Sequence, residues 1–69
     1  MTTIGQNIRK LRKERGMTQE ELAEACDLSP GYISQLEGPG CFFCPSLKTL
    51  FVIAEVLGTT VSKITDIDD

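Results

Sequence analysis

Apolar positions recur at helical spacing along most of the chain. In the first stretch, Ile4, Ile8 and Leu11 fall on one side of a helix that the pattern predicts from Ile4 to about Arg15. Gly16 follows a basic last turn, which is typical of a left-handed residue that ends a helix. No segment has sustained strand alternation. The sequence therefore predicts an all-α fold, a compact bundle of four to five short helices.

Residues 17–37 contain two helix starts of their own. Thr18 and Glu21 have the spacing of a capping box, and Ser29 before Pro30 forms a second start signal. Only residues 26–28 separate the two helical stretches, and so short a link predicts a helix-turn-helix. The buried positions of this pair are expected to be Leu22, Ala23, Cys26, Ile33 and Leu36.

The second half of the chain predicts a loop followed by one long and one very short helix. Gly38-Pro39-Gly40 ends the third helix, Ser46 suits an N-cap, and Gly58 suits a stop. The predicted elements after the first are helices over 18–26, 29–37 and 46–57 and a short helix or turn over 60–65. The predicted core positions here are Leu47, Leu50, Ile53, Ala54, Leu57, Val61 and Ile64. The whole is interpreted as one domain over 1–65 with an acidic tail over 66–69.

Charge is distributed unevenly along a chain of net charge −3 and pI near 4.8. Residues 1–17 hold five basic side chains and one carboxylate, a net +4, and the remainder holds two basic side chains and nine carboxylates, a net −7. A basic segment of this kind favours nucleic acid despite the acidic total, because affinity depends on charge at the contact face. The sequence has no membrane-length apolar run and no export signal, so a cytoplasmic protein without a membrane partner is expected.

Three segments of the chain have a recognisable pattern: Gly16-Met17-Thr18-Gln19-Glu20-Glu21-Leu22-Ala23, Tyr32-Ile33-Ser34-Gln35-Leu36-Glu37 and Pro45-Ser46-Leu47. Together they resemble the lambda-repressor-like, Cro-type (XRE-family) helix-turn-helix domains. The resemblance extends over nearly the whole chain. It implies a sequence-specific transcriptional regulator, in particular a repressor, that binds double-stranded operator DNA as a homodimer and sets its third helix in the major groove.

The resemblance also implies roles for particular residues. Gln19 is expected at the phosphate backbone, and Gln35 is expected to pair with adenine. Arg12 and Glu37 match a partly buried ion bridge, so neither is expected to be a DNA ligand first. Tyr32 faces DNA on this interpretation or packs against the second helix. The complete expected DNA-binding set is Thr18, Gln19, Ser29, Pro30, Gly31, Tyr32, Ser34, Gln35 and Lys48.

The chain departs from the family pattern at the turn and in the loop. Asp27 stands where relatives often have Gly, and Asp tolerates the left-handed conformation at modest cost. The loop after the third helix carries no charge, so fewer phosphate contacts are expected. An apolar surface for a homodimer contact or another protein is predicted at Phe42, Phe43, Phe51, Val52 and Val56. The alternative is that some of these side chains form extra core.

The cysteines and the missing histidines limit the chemistry. Cys41 and Cys44 have metal-site spacing, but structural zinc generally needs four ligands and the chain has no His. Cys26 lies at a core position, so ordinary reduced thiols and no cofactor are expected. The alternatives for Cys41 and Cys44 are a redox-active pair, a disulfide or a metal site. The sequence offers no nucleophile–base pairing, and an enzyme is not expected. The alternative function is a protein-interaction module of the same fold that has lost DNA binding, which the acidic total and the uncharged loop favour.

Overall fold

The computed structural model describes residues 4–38 and 45–65, and within them it contains helices and no strand. The all-helical prediction is thereby confirmed, and each predicted end agrees with the observed one to within one residue. None of the described helices is long and apolar enough to cross a membrane. The helices are α1 (Ile4–Glu14), α2 (Gln19–Ala25), α3 (Pro30–Glu37), α4 (Leu47–Leu57) and α5 (Val61–Ile64).

A hydroxyl cap precedes each of the last four helices. The Thr18 hydroxyl accepts the Glu21 N–H at 3.1 Å, and the Glu21 carboxylate accepts the Thr18 N–H at 2.9 Å, which confirms the capping box. Ser29, Ser46 and Thr60 each accept the N–H three residues further along. These caps satisfy N–H groups that the first helical turn leaves unpaired. The helix starts are therefore fixed by contacts within four residues of sequence.

Left-handed residues end three of the helices. Gly16 has φ of 70° after α1, and Gly58 has φ of 67° after α4. Asp27 takes the same role after α2 with φ of 58° and is the one non-glycine with positive φ in the described ranges. The reversal lets the Leu28 N–H donate to the Ala23 carbonyl at 2.7 Å, which closes the turn of the helix-turn-helix.

Every helix contributes at least one fully buried side chain to a single core. Ile8, Leu22, Ile33, Ile53 and Ile64 come from α1 to α5 in turn, and all are 0% exposed. Burial of each stabilises the fold by about 1.5–3 kcal/mol relative to exposure. Around this core, α3 packs on α1 and α2, while α4 packs on α5 and α2 and α1 contacts α5.

Helix α1 approaches the last turn of α3 closely at Gly5. A Cβ at Gly5 would overlap the Leu36 carbonyl oxygen and lie 3.3 Å from the Cα of Glu37, so only glycine fits there. At the other side of α1, the Asn7 side-chain amide donates to the Ile64 carbonyl at 2.8 Å. The last turn of α3 thus rests on a helix that is itself tied to α5.

One core prediction about α4 is wrong, and for two other side chains of α4 the alternative of extra core is the one observed. Leu47 was expected in the core but is 62% exposed, because it opens α4 and the described elements that bury Leu50 do not extend over it. Val52 and Val56 were expected outside the core but are half-buried and pack against it. The reason is that α4 has two neighbours, α5 and α2, which cover a wider arc than one stripe.

Candidate nucleic-acid interface

The two sides of α3 have opposite surroundings. Ile33 and Leu36 are 0% and 2% exposed and anchor the helix in the core. Pro30, Gly31, Ser34 and Gln35 are all exposed on the other side. A Cβ built at Gly31 would meet no atom within 4 Å, and the Gln35 amide makes no hydrogen bond with other described residues. The outer side of α3 is therefore exposed at these four positions.

Two hydroxyls near the outer side of α3 act as helix caps. Thr18 and Ser29 are exposed, and each hydroxyl accepts a capping hydrogen bond from a backbone N–H at 3.1 Å. Because a hydroxyl also carries one donor proton, each can still donate to a phosphate oxygen. Capping and anion binding are compatible at both positions.

Tyr32 has a mixed environment. Its side chain is half-buried and packs against the core, and its backbone N–H is the one that Ser29 caps. The alternative that Tyr32 packs within the protein is therefore observed for part of its side chain. The remainder of the ring is exposed on α3.

Arg12 and Glu37 form a buried, two-pronged ion pair. Arg12 Nε donates to Glu37 Oε2 at 2.8 Å, and Arg12 Nη2 donates to Glu37 Oε1 at 2.9 Å. The two side chains are only 8% and 2% exposed. The hydrogen bond to Glu37 raises the pKa of Arg12, against the opposing effect of burial. The bridge that the family resemblance implied is present and ties α1 to the last turn of α3.

Gln19 is also drawn into this pair, which sequence reasoning missed. Its side-chain amide Nε2 donates to Glu37 Oε1 at 3.2 Å, and the side chain is half-buried rather than fully extended into solvent. The third guanidinium nitrogen, Arg12 Nη1, donates to the Met17 carbonyl at 2.7 Å. No local signal reveals this contact, because Gln19 and Glu37 lie 18 residues apart.

The basic side chains of α1, and Arg15 directly after it, do not share one environment. Arg9, Lys10 and Lys13 are exposed, whereas Arg12 is engaged with Glu37. Arg15 lies against Gly58, where its guanidinium faces the C-terminal end of α4 and complements the helix dipole. The +4 charge of the first segment is therefore partly used inside the fold. Outside α1, Lys48 is exposed in the first turn of α4.

The cysteine and apolar-loop predictions are only partly within the described chain. Cys26 is 7% exposed, and burial raises the pKa of its thiol, so it is a core residue as predicted. Cys41, Phe42, Phe43 and Cys44 lie outside the described residues. Across residues 4–38 and 45–65, no three His, Cys, Asp or Glu side chains are grouped as a metal site.

The sequence comparisons match this chain to repressors and regulators. The Helix-turn-helix family profile matches residues 8–37. The immunity repressor protein of Bacillus phage phi105 is 45% identical over 62 residues, which are 90% of this chain and 42% of that repressor. The HTH-type transcriptional regulator y4dJ of Sinorhizobium fredii is 36% identical over 67 residues, 96% of this chain and 84% of that protein. The chain spans less than half of the phage repressor and 7% of the regulator PrpR of Mycobacterium tuberculosis.

Solved structures of a helix-turn-helix regulator have the same fold as this chain. The biofilm regulator SinR, in a complex with DNA, superposes with a TM-score of 0.83 at 34% identity, covering 90% of this chain and 97% of that chain. The SinR–SinI complex gives a TM-score of 0.84 at 34% identity over 93% of this chain and 61% of that one. Because the chain matches most of y4dJ and nearly all of the DNA-bound SinR chain at identities above 30%, it belongs to the Cro/C1-type helix-turn-helix family of transcriptional regulators.

Proposed function

We propose that this chain binds double-stranded operator DNA sequence-specifically and represses transcription by occupying the operator. The observation that carries the proposal is the open outer side of α3, with Ser34 and Gln35 exposed on a helix whose inner side is locked in the core. A helix presented in this way fits the major groove, where base edges are distinguishable. The fold shared with DNA-bound SinR supports the same docking.

Base reading is assigned chiefly to Gln35. Its amide offers a donor and an acceptor together, which match N7 and N6 of adenine. Ser34 adds one hydroxyl a residue earlier, and the exposed part of Tyr32 adds apolar contact to a thymine methyl. Pro30 and Gly31 supply no side-chain donor, so DNA shape contributes the remaining discrimination.

Phosphate contacts are assigned to the ends of neighbouring helices. Gln19 and Thr18 lie at the start of α2, Ser29 caps α3, and Lys48 supplies a full positive charge from the first turn of α4. Since most of these groups are neutral, few counterions are released on binding, and the salt dependence of the affinity is expected to be shallow.

The test begins with selection of bound duplexes from a random pool, followed by affinity measurement on the selected site and on an unrelated duplex. Gln35→Ala is expected to cost about 1–3 kcal/mol on the selected site and little on the unrelated one. Gln6→Ala, the same change on the exposed part of α1, serves as the matched control. Equal losses on both duplexes would remove Gln35 from base reading. Absence of binding to any duplex at low salt would reject the DNA-binding function in favour of a protein-interaction module.

We further propose that the regulator acts in the cytoplasm as a homodimer joined through α4. Leu47 and Phe51 are 62% and 59% exposed and lie four residues apart on one side of that helix. Two large exposed apolar side chains at this spacing form an apolar surface that a second copy of the chain can bury. A dimer would place two copies of α3 one DNA turn apart, about 34 Å.

Sedimentation equilibrium tests the homodimer. Phe51→Glu is expected to lower the dimer fraction, because the contact would then bury a charge. Ser62→Glu introduces the same charge at an exposed position of α5 and is expected to leave the mass unchanged. A monomeric wild type at high concentration would reject the homodimer.

A further inference from the structure

We propose that the buried Arg12–Glu37 pair positions Gln19 for contact with a DNA phosphate, which makes Arg12 and Glu37 positioning residues of the DNA site. The inference rests on the proposed DNA-binding function and adds a role for two residues that do not reach DNA themselves. It is carried by one chain of contacts that joins α1, α2 and α3: Arg12 to Glu37, and Glu37 to Gln19.

The chemistry of Glu37 decides which way the Gln19 amide faces. An ionised carboxylate only accepts hydrogen bonds, so the group that Gln19 turns toward it is the NH₂ and not the carbonyl. Nε2 uses one of its two N–H groups to donate a hydrogen bond to Glu37 Oε1 at 3.2 Å. The second proton remains for an anion at the half-exposed surface. A glutamine in free rotation would present its carbonyl oxygen to the same phosphate part of the time.

Arg12 holds the carboxylate in that orientation. Both carboxylate oxygens of Glu37 are bound by Arg12, at 2.8 Å and 2.9 Å, so the carboxylate plane cannot rotate without breaking a charge-assisted bond. The same guanidinium donates to the Met17 carbonyl at 2.7 Å. The residues on both sides of Thr18 are therefore fixed to one rigid unit, and the start of α2 is set against the end of α3.

A wholly apolar contact at this place is compatible with a stable fold. Replacement of a buried ion pair by apolar side chains of similar volume is often neutral for folding. Stability alone therefore does not call for a carboxylate there, whereas the orientation of an amide does. This difference separates a positioning role from a structural one in a binding experiment.

The experiment is a double-mutant cycle on the selected operator duplex, read by fluorescence anisotropy. Gln19→Met removes the amide at nearly constant shape, and Arg12→Met with Glu37→Leu replaces the ion pair. We expect Gln19→Met to weaken binding about tenfold in the wild type, as for loss of a hydrogen bond to a charged group. In the apolar-pair background it is expected to weaken binding less than about twofold, because the amide is already unpositioned.

Gln35→Ala is the internal control of this cycle. Its contact lies outside the Arg12–Glu37–Gln19 chain, so its effect is expected to be the same in both backgrounds. Independent effects of Gln19→Met and of the apolar pair overturn the inference, as does an apolar-pair variant that binds like the wild type. A wild type that binds no duplex rejects the proposed function, and the inference fails with it.

A second measurement covers the case in which the apolar-pair variant does not fold. In the wild type, ¹⁵N relaxation of the Gln19 side-chain NH₂ is expected to show restricted motion, because the amide is bonded to Glu37. The same measurement on Gln35 is expected to show the fast motion of an exposed side chain. Addition of operator duplex is expected to shift the Gln19 signals. A Gln19 side chain as mobile as that of Gln35, or Gln19 signals that the duplex leaves unshifted, overturns the inference.

Discussion

Removal of Glu37 is expected to destabilise the protein far more than removal of the whole ion pair. In Glu37→Leu, the guanidinium of Arg12 stays 8% exposed but loses both of its bonds to the carboxylate. An uncompensated buried charge of this kind costs about 3–5 kcal/mol. A domain of this size has a total stability on the order of 3–10 kcal/mol, so the single variant is expected to lose a large part of its stability, or all of it if the total lies at the low end of that range.

The paired change is expected to restore the fold. Arg12→Met combined with Glu37→Leu removes both charges and keeps similar volume, which by itself is neutral or stabilising. The Met17 carbonyl loses its guanidinium donor, at a cost of about 1–3 kcal/mol if no water replaces it. The double variant is therefore expected to lie within about 3 kcal/mol of the wild type and above Glu37→Leu.

Urea unfolding followed by far-ultraviolet circular dichroism measures all three proteins. The decisive quantity is the free energy of unfolding extrapolated to water, compared at equal denaturant slope. The reasoning would be refuted if Glu37→Leu lost less than about 1 kcal/mol, since buried charges would then not be costly here. It would also be refuted if the double variant were as unstable as the single one.

Three further predictions follow from backbone geometry and burial. Gly5→Ala is expected to lower the unfolding free energy by more than about 2 kcal/mol, because the Leu36 carbonyl must move, while Gly31→Ala, which meets open space, is expected to raise it by about 0.5–1 kcal/mol. Asp27→Gly is expected to raise thermal stability, with a gain of about 0.5–1 kcal/mol, because glycine adopts φ of 58° without strain; a loss would contradict this. Burial raises the Cys26 pKa, so the unfolded chain loses its thiol proton first and stability falls as pH rises through the alkaline range. Urea midpoints from neutral to alkaline pH are expected to fall less steeply in Cys26→Ala, and parallel curves would contradict the assignment.

Helix α3 and its neighbours were predictable because their signals are local. Thr18 and Ser29 cap backbone N–H groups three residues away, and the left-handed conformation of Asp27 involves one residue. Helical periodicity placed Ile33 and Leu36 in the core and left Ser34 and Gln35 outward. Each of these choices is settled within about one or two helical turns, a span that the sequence shows directly.

The placement of α4 side chains was predicted less well. Periodicity gives one apolar stripe, but which arc of a helix is covered depends on how many neighbours it has. Because α4 contacts both α5 and α2, Val52 and Val56 are half-buried, and Leu47 at the start of the helix is left exposed. The large apolar side chains that α4 leaves exposed are therefore Leu47 and Phe51.

The amino-acid sequence by itself determined the helices, their caps, the left-handed turn at Asp27 and the family, since these depend on contacts between near neighbours in the chain. Tertiary structure alone decided that the end of α3 packs against Gly5 and that Gln19 donates a hydrogen bond to the Glu37 carboxylate. Those contacts join residues 18 or more positions apart, and their geometry exists only after the helices have packed. The physical reason is that hydrogen bonds and steric fit act over a few ångströms in space, whatever the separation along the sequence.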